Sequence, residues 1–206
     1  MSVYALKPRF QTLLRPVAVC LFRMGVTANQ VTTATCVISV GLGMGLALTA
    51  NRPAAFLLLP FWSFTRMALN ALDGMLAREF NQASPLGAYL NELTDVISDS
   101  ALYLPFALLP GSAPWLVISV VALSSISEMA GALPVAAGAS RRCEGPMGKS
   151  DRALVFGLIG LLVGCGVPLA EAYVWIWTVL GVLITVTIRN RVWKALAELE
   201  SARCMP

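Results

Sequence analysis

The sequence predicts an all-α, polytopic membrane protein with six transmembrane helices and an N-terminal amphipathic helix on the membrane surface. Of its 206 residues, 57% are hydrophobic and only 13% are charged, whereas a soluble domain has about 25% charged residues. Six segments reach or approach the length of about 20 apolar residues that a membrane span needs. Short connections separate these segments, which predicts one compact helical bundle without a soluble domain.

The chain is expected to form a single membrane domain over residues 1–206. In residues 1–25, basic residues at Lys7, Arg9 and Arg15 interrupt the apolar positions. This pattern is typical of an amphipathic helix at the membrane interface and not of a signal peptide; a basic flank of the first span stays open as the alternative. We expect the six-helix bundle at residues 31–190 and a cytoplasmic tail at 191–206. The predicted spans lie near residues 31–50, 54–76, 86–109, 115–137, 153–170 and 173–188.

The basic residues predict the orientation of the bundle, because short cytoplasmic loops of membrane proteins are enriched in lysine and arginine. With a cytoplasmic N-terminus, four basic residues before the first span, one after the second, four after the fourth and four after the sixth lie in the cytoplasm. These are 13 of the 15 lysine and arginine residues, with Arg52 on the other side and Arg66 inside the second span. We therefore expect both termini in the cytoplasm and the protein in a bacterial inner membrane.

The composition also restricts the chemistry. The chain contains no histidine, the side chain that most often transfers protons near neutral pH. Acid–base and metal chemistry must then rely on oxygen ligands, which favour hard cations such as Mg²⁺, Mn²⁺ or Ca²⁺. The five cysteines are scattered and lack a C-x-x-C spacing, so they indicate core or membrane residues and not a disulfide framework or a zinc site.

Acidic residues are concentrated at the predicted cytoplasmic ends of the second and third spans. In the second span, Asn70, Asp73 and Ala77 share a helix face by i, i+3, i+7 spacing. In the third span, one stripe repeats every four residues, at Gly87, Asn91, Asp95 and Asp99. We expect the hairpin of these helices to bring both faces together at a similar depth. Five of the eleven acidic residues lie in this region: Asp73, Glu79, Glu92, Asp95 and Asp99.

The two polar faces are predicted to form a pocket for a divalent cation. Carboxylates at close range raise one another's pKa unless a cation lies between them, and charged residues within a span are usually functional. Gly74 and Gly87 leave room for a phosphate or another backbone, and Arg78 offers a fork of donors to phosphate. A helix pair held by intramembrane hydrogen bonds and charge pairs is the alternative.

This region resembles the signature of the CDP-alcohol phosphotransferase family, D-x-x-D-G-x-x-A-R-x8-G-x-x-x-D-x-x-x-D. Residues 73–78 read DGMLAR, Gly87 follows after eight further residues, and Asp95 stands at the final aspartate position. Residues 25–32, GVTANQVT, are similar to the family's G-x-T-P-N-x-x-T motif, with Ala28 in place of proline. The chain is therefore identified as a member of this family.

The resemblance implies six helices, an N-terminal surface helix and a homodimer. Asn70 and Asn91 stand where the family has its first and third aspartates, so we expect one or two ions of Mg²⁺ or Mn²⁺. Asp95 is implied to be the catalytic base that removes the proton of the acceptor hydroxyl. The implied metal ligands are Asp73, Asp95, Asn70 and Asn91. The residues implied to bind the CDP donor are Gly74, Ala77, Arg78, Gly87, Asn29 and Thr32; for the last two, helix capping is the alternative.

The basic loop RRCEGPMGKSDRA, residues 141–153, resembles the G-K-x-x-x-R-A region of family members that bind a phosphorylated acceptor. The resemblance implies that Lys149 and Arg152 bind an anionic acceptor, with help from Arg189 or Arg191. The alternative is that these basic residues serve membrane topology and contact anionic lipids.

Four further ionisable residues have open roles. Glu92 lies about 100° round the helix from the polar stripe and could reach the pocket with its longer side chain. Asp99 lies one turn deeper and is expected to support or line the pocket. Arg66 could bind lipid or a carboxylate. Glu128 lies beside several serines, a pattern that predicts helix–helix hydrogen bonding.

The resemblance implies an enzyme that transfers a phosphatidyl group from CDP-diacylglycerol to a small polar alcohol and releases CMP. One alternative is a non-catalytic relative that binds CDP-lipid or nucleotide through a degenerate metal site. A small transporter would use the same six spans, but the carboxylates cluster at one membrane face. The expected partners are CDP-diacylglycerol, a small alcohol acceptor, the lipid bilayer and a second copy of the chain, and no nucleic acid.

Overall fold

The computed structural model describes the backbone of residues 6–203 and the side chains of residues 10–201. This part of the chain is helical and contains no strand, which confirms the prediction of an all-α fold. The α-helices are α1 (Leu6–Arg23), α2 (Ala28–Leu48), α3 (Leu58–Glu79), α4 (Pro85–Tyr103), α5 (Pro114–Ala136), α6 (Lys149–Gly164) and α7 (Tyr173–Arg203). Two 3₁₀ segments, Pro53–Leu57 and Leu104–Leu108, extend α3 at its start and α4 at its end.

The helices α2 to α7 coincide with the six predicted spans, but four stretches of the described chain are long and apolar enough to cross a membrane. They are Ala28–Leu48, Pro53–Glu79, Pro114–Ala136 and Tyr173–Ser201. The helix α6 has only 16 residues, and α4 carries Glu92, Asp95 and Asp99 within its 19 residues. These four helices indicate an integral membrane protein. That all six segments cross the membrane stays a prediction.

The two ends of the chain were predicted as a surface helix and a tail. Residues 6–23 form α1, in which Leu14, Ala18 and Leu21 pack against Leu72 and Met75 of α3. The position of α1 relative to a membrane stays a prediction. At the other end, α7 continues to Arg203, so the predicted tail is helical as far as the structure describes it. Residues 1–5 and 204–206, which belong to these predicted segments, lie outside the described residues.

The helix α2 packs against both α3 and α4, and close contact with α4 depends on a glycine. A Cβ atom on Gly43 would lie 2.6 Å from the carbonyl carbon of Ala101 in α4. Small residues at such crossings let two membrane helices approach closely. At the start of α2, a capping box holds the helix end: Thr27 Oγ1 accepts from the Gln30 backbone N–H at 3.3 Å, and Gln30 Oε1 accepts from the Thr27 N–H at 2.9 Å.

Replacing Gly43 with alanine is expected to lower the free energy of unfolding by about 1–3 kcal/mol, because the added methyl group must push α2 away from α4. Thermal unfolding of the purified protein in detergent measures the effect. Gly41→Ala is the matched control, since a Cβ atom there has nothing within 4 Å and alanine favours the helix. Equal stability of the two variants would contradict the close α2–α4 contact.

A short turn connects α3 to α4 and sets the ends of both helices. Asn81 adopts a φ of 54°, a left-handed conformation that asparagine tolerates better than most residues. Ser84 then caps α4 by accepting the Gly87 backbone N–H at 3.0 Å, and Pro85 occupies the first helical turn, where its missing N–H costs little. The Gln82 side-chain oxygen accepts the Ala28 N–H at 2.7 Å. The turn is thereby fixed to the start of α2.

The apolar core lies between the far end of α4 and the helices α5, α6 and α7. Its centre is a group of fully buried aromatic rings, in which Tyr103 stacks on Phe156 with ring centroids 3.7 Å apart. Phe106 and Trp177 pack around this pair at 5.5–5.7 Å. Large buried rings of this kind contribute strongly to packing and hold α4 and α6 together next to the polar ends described below.

Candidate active site

A cavity of about 490 Å³ opens where α2, α3 and α4 meet the start of α6. The predicted polar face of α3 lines it, and so does the predicted face of α4 from Gly87 to Asp95. Arg152 is the one predicted site residue of the described chain that does not line it. The predicted residues that the cavity gathers are Asn29, Thr32, Asn70, Asp73, Gly74, Ala77, Arg78, Gly87, Asn91, Asp95 and Lys149.

Asp73 is buried, with 6% of its surface exposed, and its hydrogen-bond partner in the structure is neutral. The Thr32 hydroxyl of α2 lies 2.8 Å from Asp73 Oδ2 and 3.0 Å from the Ala28 carbonyl oxygen. A hydroxyl has a single proton to donate, so these two acceptors share it. Among the described residues, no lysine or arginine nitrogen lies within 4.0 Å of the Asp73 carboxylate.

Asp95 is equally buried, with 7% exposed, but cationic groups surround it. Arg66 Nη2 lies 3.4 Å from Asp95 Oδ1 and 3.2 Å from its main-chain oxygen. The Lys149 ammonium forms an ion pair with Asp95 Oδ2. Asn70 Nδ2, on the facing helix α3, lies 3.5 Å from Asp95 Oδ1. Asp95 therefore meets groups from α3 and α6, and its charge is compensated within the protein.

Two glycines let polar side chains lie close to the helix backbones at the cavity. A Cβ atom on Gly74 would lie 2.8 Å from Arg78 Nη2, and one on Gly87 would lie 2.8 Å from the Asn29 side-chain oxygen. Any larger residue would displace the guanidinium or the amide from the cavity wall. The space beside these glycines holds the Arg78 and Asn29 side chains, and close approach of a phosphate to them stays a prediction.

The rim of the cavity contains a charge pair that the sequence analysis did not assign. Glu92 and Arg141 both line the cavity and form an ion pair with each other. Glu92 lines the cavity, as the sequence analysis allowed. Its partner Arg141 could not be predicted, because it lies 49 residues away and no spacing rule connects a helix to a distant loop. Because both side chains are partly exposed, the pair itself contributes little to stability.

The loop that carries Arg141 and leads to Lys149 is held by several hydrogen bonds. The Met147 N–H donates to Thr187 Oγ1 at 3.0 Å, and Gly145 has a φ of +128° with Thr187 against it. Partial burial raises the pKa of Glu144. Hydrogen bonds from its own backbone N–H, from the Cys143 backbone N–H and from Arg142 together lower the pKa by more than burial raises it. The pKa of Glu144 therefore lies below its usual value, and the side chain stays ionised in this basic loop.

Arg152 was predicted to bind the acceptor, but the structure places it in a buried ion network behind the cavity. It is fully buried, and its Nη2 lies 2.9 Å from Glu128 Oε1 and 3.2 Å from Asp99 Oδ2. Arg66 Nη1 lies 2.5 Å from Asp99 Oδ1, and Arg191 Nη1 lies 3.3 Å from Glu128 Oε1. Because two carboxylates already hold Arg152, its place in the network favours a structural role.

The network also settles where three residues with open roles lie. Asp99 is part of the network and does not line the cavity. Glu128 of α5 accepts hydrogen bonds from Arg152 of α6 and Arg191 of α7, as the prediction of helix–helix hydrogen bonding requires. Arg66 binds carboxylates, one of the two possibilities stated above. A signal for Arg66 was present in the sequence, since it precedes Asn70 by four residues and Asp73 by seven and so shares their helix face.

Residues 25–188 match the model of a protein family described as CDP-alcohol phosphatidyltransferase. The match covers more than half of the chain and includes every residue described above as lining the cavity from α2 to α6. The chain belongs to the CDP-alcohol phosphatidyltransferase family. The resemblance stated from the sequence is thereby confirmed.

Two relatives extend this result to whole proteins. Inner membrane protein YnbA of Escherichia coli (strain K12) is 48% identical over 191 residues, which are 93% of this chain and 94% of that protein. Phosphatidylinositol phosphate synthase of Corynebacterium glutamicum is 28% identical over 183 residues, which are 82% of this chain and 78% of that protein. The similarity therefore runs along most of each chain.

Solved structures show the same fold. Phosphatidylinositol phosphate synthase of Mycobacterium tuberculosis in complex with manganese and citrate has a TM-score of 0.71 and 23% identity, covering 88% of both chains. The same protein with CDP-DAG bound has a TM-score of 0.72 and 22% identity, covering 87% of this chain and 92% of that chain. At this identity the likeness concerns the fold alone.

The side-chain oxygens that line the cavity fit a hard divalent cation. The described residues contain no group of three or more histidine, cysteine, aspartate or glutamate side chains arranged for a metal ion. The cavity instead combines the carboxylates of Asp73 and Asp95 with the amides of Asn70 and Asn91. Carboxylate and amide oxygens suit Mg²⁺ and Mn²⁺. Asp73 is buried without an ion pair among the described residues, so it is the group for which such an ion would compensate.

Proposed function

We propose that the protein transfers a phosphatidyl group from CDP-diacylglycerol to a small polar alcohol and releases CMP, with Mg²⁺ or Mn²⁺ as cofactor. The observation that carries the proposal is the cavity that Asp73 of α3 and Asp95 of α4 both line, with a glycine beside polar side chains on each helix. A nucleotide in this cavity would lie in water while the diacyl chains of the donor stay in lipid.

The donor diphosphate would bind between the α3 and α4 faces of the cavity. Arg78 offers a planar fork of N–H donors that matches phosphate oxygens. Gly74, Ala77 and Gly87 present small side chains there, so the diphosphate can approach the helices closely. Asn29 and Thr32 of α2 would contact the nucleotide end of the donor. A divalent ion held by Asp73, with the amide oxygens of Asn70 and Asn91 as neutral ligands, would neutralise the charge that develops on the phosphates.

Asp95 is proposed to act as the catalytic base. Its carboxylate accepts the proton of the acceptor hydroxyl, the alcohol oxygen forms a bond to the β-phosphorus of the donor, and the bond from that phosphorus to the CMP oxygen breaks. CMP leaves with the electron pair of that bond. A base must lie within hydrogen-bond reach of the hydroxyl, and the exposure of Asp95 to the cavity allows this.

Lys149 is proposed to orient an anionic acceptor. An ammonium group has three donors, so its ion pair with Asp95 leaves donors for the acceptor. An acceptor held there would bring its hydroxyl close to the proposed base. Arg152 is not included, because it is buried in the ion network.

The relatives support the donor and the setting of this proposal. The Mycobacterium tuberculosis synthase is described with CDP-DAG bound and with manganese, and the Escherichia coli relative is an inner membrane protein. We propose by analogy a bacterial inner membrane location. Both termini in the cytoplasm are proposed from the distribution of basic residues, and a homodimer from the resemblance to the family.

The proposal is tested with purified protein in detergent or nanodiscs. The protein is incubated with CDP-diacylglycerol, Mg²⁺ or Mn²⁺ and a panel of neutral and phosphorylated alcohols, and CMP release is measured. We expect CMP release that depends on one alcohol and stops when EDTA removes the metal. If the donor binds but no alcohol gives metal-dependent CMP release, the proposed enzymatic activity would be contradicted.

Two observations favour the alternative of a non-catalytic CDP-lipid-binding protein. Two signature positions hold Asn70 and Asn91 in place of aspartate, and Lys149 already pairs with Asp95. The double variant Asn70→Asp/Asn91→Asp separates the two functions. A large gain in CMP release would favour an inactive descendant of an enzyme, whereas a loss would indicate that the asparagines suit the natural substrate and metal arrangement.

A further inference from the structure

We propose that this chain binds one divalent cation, at Asp73, and that the Lys149 ammonium takes the place of a second cation at Asp95. The inference rests on the proposed function only for the location of the site. It concerns the number of ions and the residues that hold them, which the family membership does not determine for a chain with asparagines at two signature positions.

The first step is the difference between the two buried carboxylates. Asp95 has Arg66 Nη2 3.4 Å from one oxygen and the Lys149 ammonium against the other. Both oxygens of Asp95 thus face a cation that belongs to the protein. A metal ion at Asp95 would have to displace the ammonium or lie beside it, and like charges at close range repel strongly in a buried site.

The second step is the environment of Asp73. Only 6% of its surface is exposed, and its partner is the Thr32 hydroxyl at 2.8 Å. In the part of the chain that the structure describes, no cationic nitrogen approaches its carboxylate within 4.0 Å. The Lys149 ammonium acts on Asp73 only from beyond ion-pair distance, because it is paired with Asp95. A buried carboxylate without an ion pair is costly, and the remaining lone pairs of Asp73 can accept a cation.

The third step is the charge of the amide ligands. Asn70 and Asn91 supply oxygen atoms without charge, so Asp73 and Asp95 are the only carboxylates that the four signature positions provide. Two divalent ions would bring four positive charges against these two, next to the ammonium of Lys149. One ion at Asp73 leaves a smaller excess of charge, which the donor diphosphate can balance.

The number of ions is measured by titrating the metal-free protein with Mn²⁺ and following the loss of the free Mn²⁺ signal by electron paramagnetic resonance. No substrate is present, so the result does not depend on turnover. We expect one Mn²⁺ per chain at saturation. Two Mn²⁺ per chain, or none, would overturn the inference.

Two variants locate the ion. Asp73→Asn is expected to weaken Mn²⁺ binding at least about 100-fold, since it removes the charged ligand and even outer partners of a metal site contribute 10–100-fold. The double variant Asp95→Asn/Lys149→Gln removes one pair without changing the net charge. We expect it to keep one Mn²⁺ with less than about a tenfold change in affinity. Loss of Mn²⁺ binding by the double variant would assign the ion to Asp95 and overturn the inference.

Glu171→Gln is the control, because it removes an exposed carboxylate at the other end of α6 from Lys149 and should leave Mn²⁺ binding unchanged. A single elution peak in detergent and an unchanged helical spectrum show that each variant is folded. If Mn²⁺ binds as expected while no alcohol yields CMP, the proposed function fails and the single-ion site stands. If CMP is released and two ions bind, the proposed function stands and the single-ion inference fails.

Discussion

Replacing Asp95 with asparagine is expected to lower CMP release at least about 100-fold, which is the lower end of what a general base contributes. The substitution keeps the shape of the side chain but removes its capacity to accept a proton. It also removes the ion pair that fixes the Lys149 ammonium beside the proposed acceptor site. The initial rate of CMP release at saturating CDP-diacylglycerol measures the effect, which should fall on kcat more than on the donor KM.

The comparison variant for this prediction is Glu171→Gln, an exposed carboxylate between α6 and α7. It should release CMP at the rate of the unaltered protein. Donor binding by the Asp95→Asn protein, measured by protection against thermal unfolding, separates a lost chemical step from a collapsed cavity. Activity of Asp95→Asn within about threefold of the unaltered protein would show that this carboxylate is not the base, since even a modest base contributes more.

Replacing Glu128 with glutamine is expected to lower the free energy of unfolding by about 3–5 kcal/mol, because removal of one partner leaves buried charges without compensation. Glu128 Oε1 lies 2.9 Å from Arg152 and 3.3 Å from Arg191, and both arginines are at most 3% exposed. Thermal unfolding in detergent measures the loss.

The ion network explains why this effect should exceed that of a surface pair. Its five residues, Arg66, Asp99, Glu128, Arg152 and Arg191, come from α3, α4, α5, α6 and α7 in turn. Each ion pair therefore joins two different helices. Arg15→Gln, which breaks the exposed pair with Glu79, should change the free energy of unfolding by no more than about 1 kcal/mol. Equal losses for the two variants would contradict a network that holds the bundle together.

Local sequence patterns predicted the helices and most of the cavity. The spacing of Asn70, Asp73 and Ala77 and the stripe from Gly87 to Asp95 are properties of single helices, and helical geometry determines which side chains share a face. The short turn then fixed which ends of α3 and α4 lie together. For these reasons the cavity could be predicted without knowledge of the packing of the other helices.

The contacts that the sequence did not predict all depend on distant elements. Thr32 reaches Asp73 because α2 packs against both α3 and α4, and the crossing depends on Gly43. Arg152 was assigned to the acceptor site because its basic loop resembles the G-K-x-x-x-R-A region, but the start of α6 turns it into the bundle. Whether a basic residue near a helix end faces water or a buried carboxylate depends on tertiary packing, which a charge pattern does not contain.

The balance of buried charges has a consequence for how ligands enter the protein. The charges of Asp73, of the Asp95–Lys149 pair and of the ion network sum to zero: the positive groups Arg66, Lys149, Arg152 and Arg191 match the negative groups Asp73, Asp95, Asp99 and Glu128. A divalent ion alone gives this interior two excess positive charges, and a diphosphate alone gives it two negative ones. Each ligand removes the excess that the other creates, so each raises the affinity for the other by the same factor. We expect the nucleotide lipid to be retained or released according to the free concentration of the metal ion, as one electroneutral unit with it.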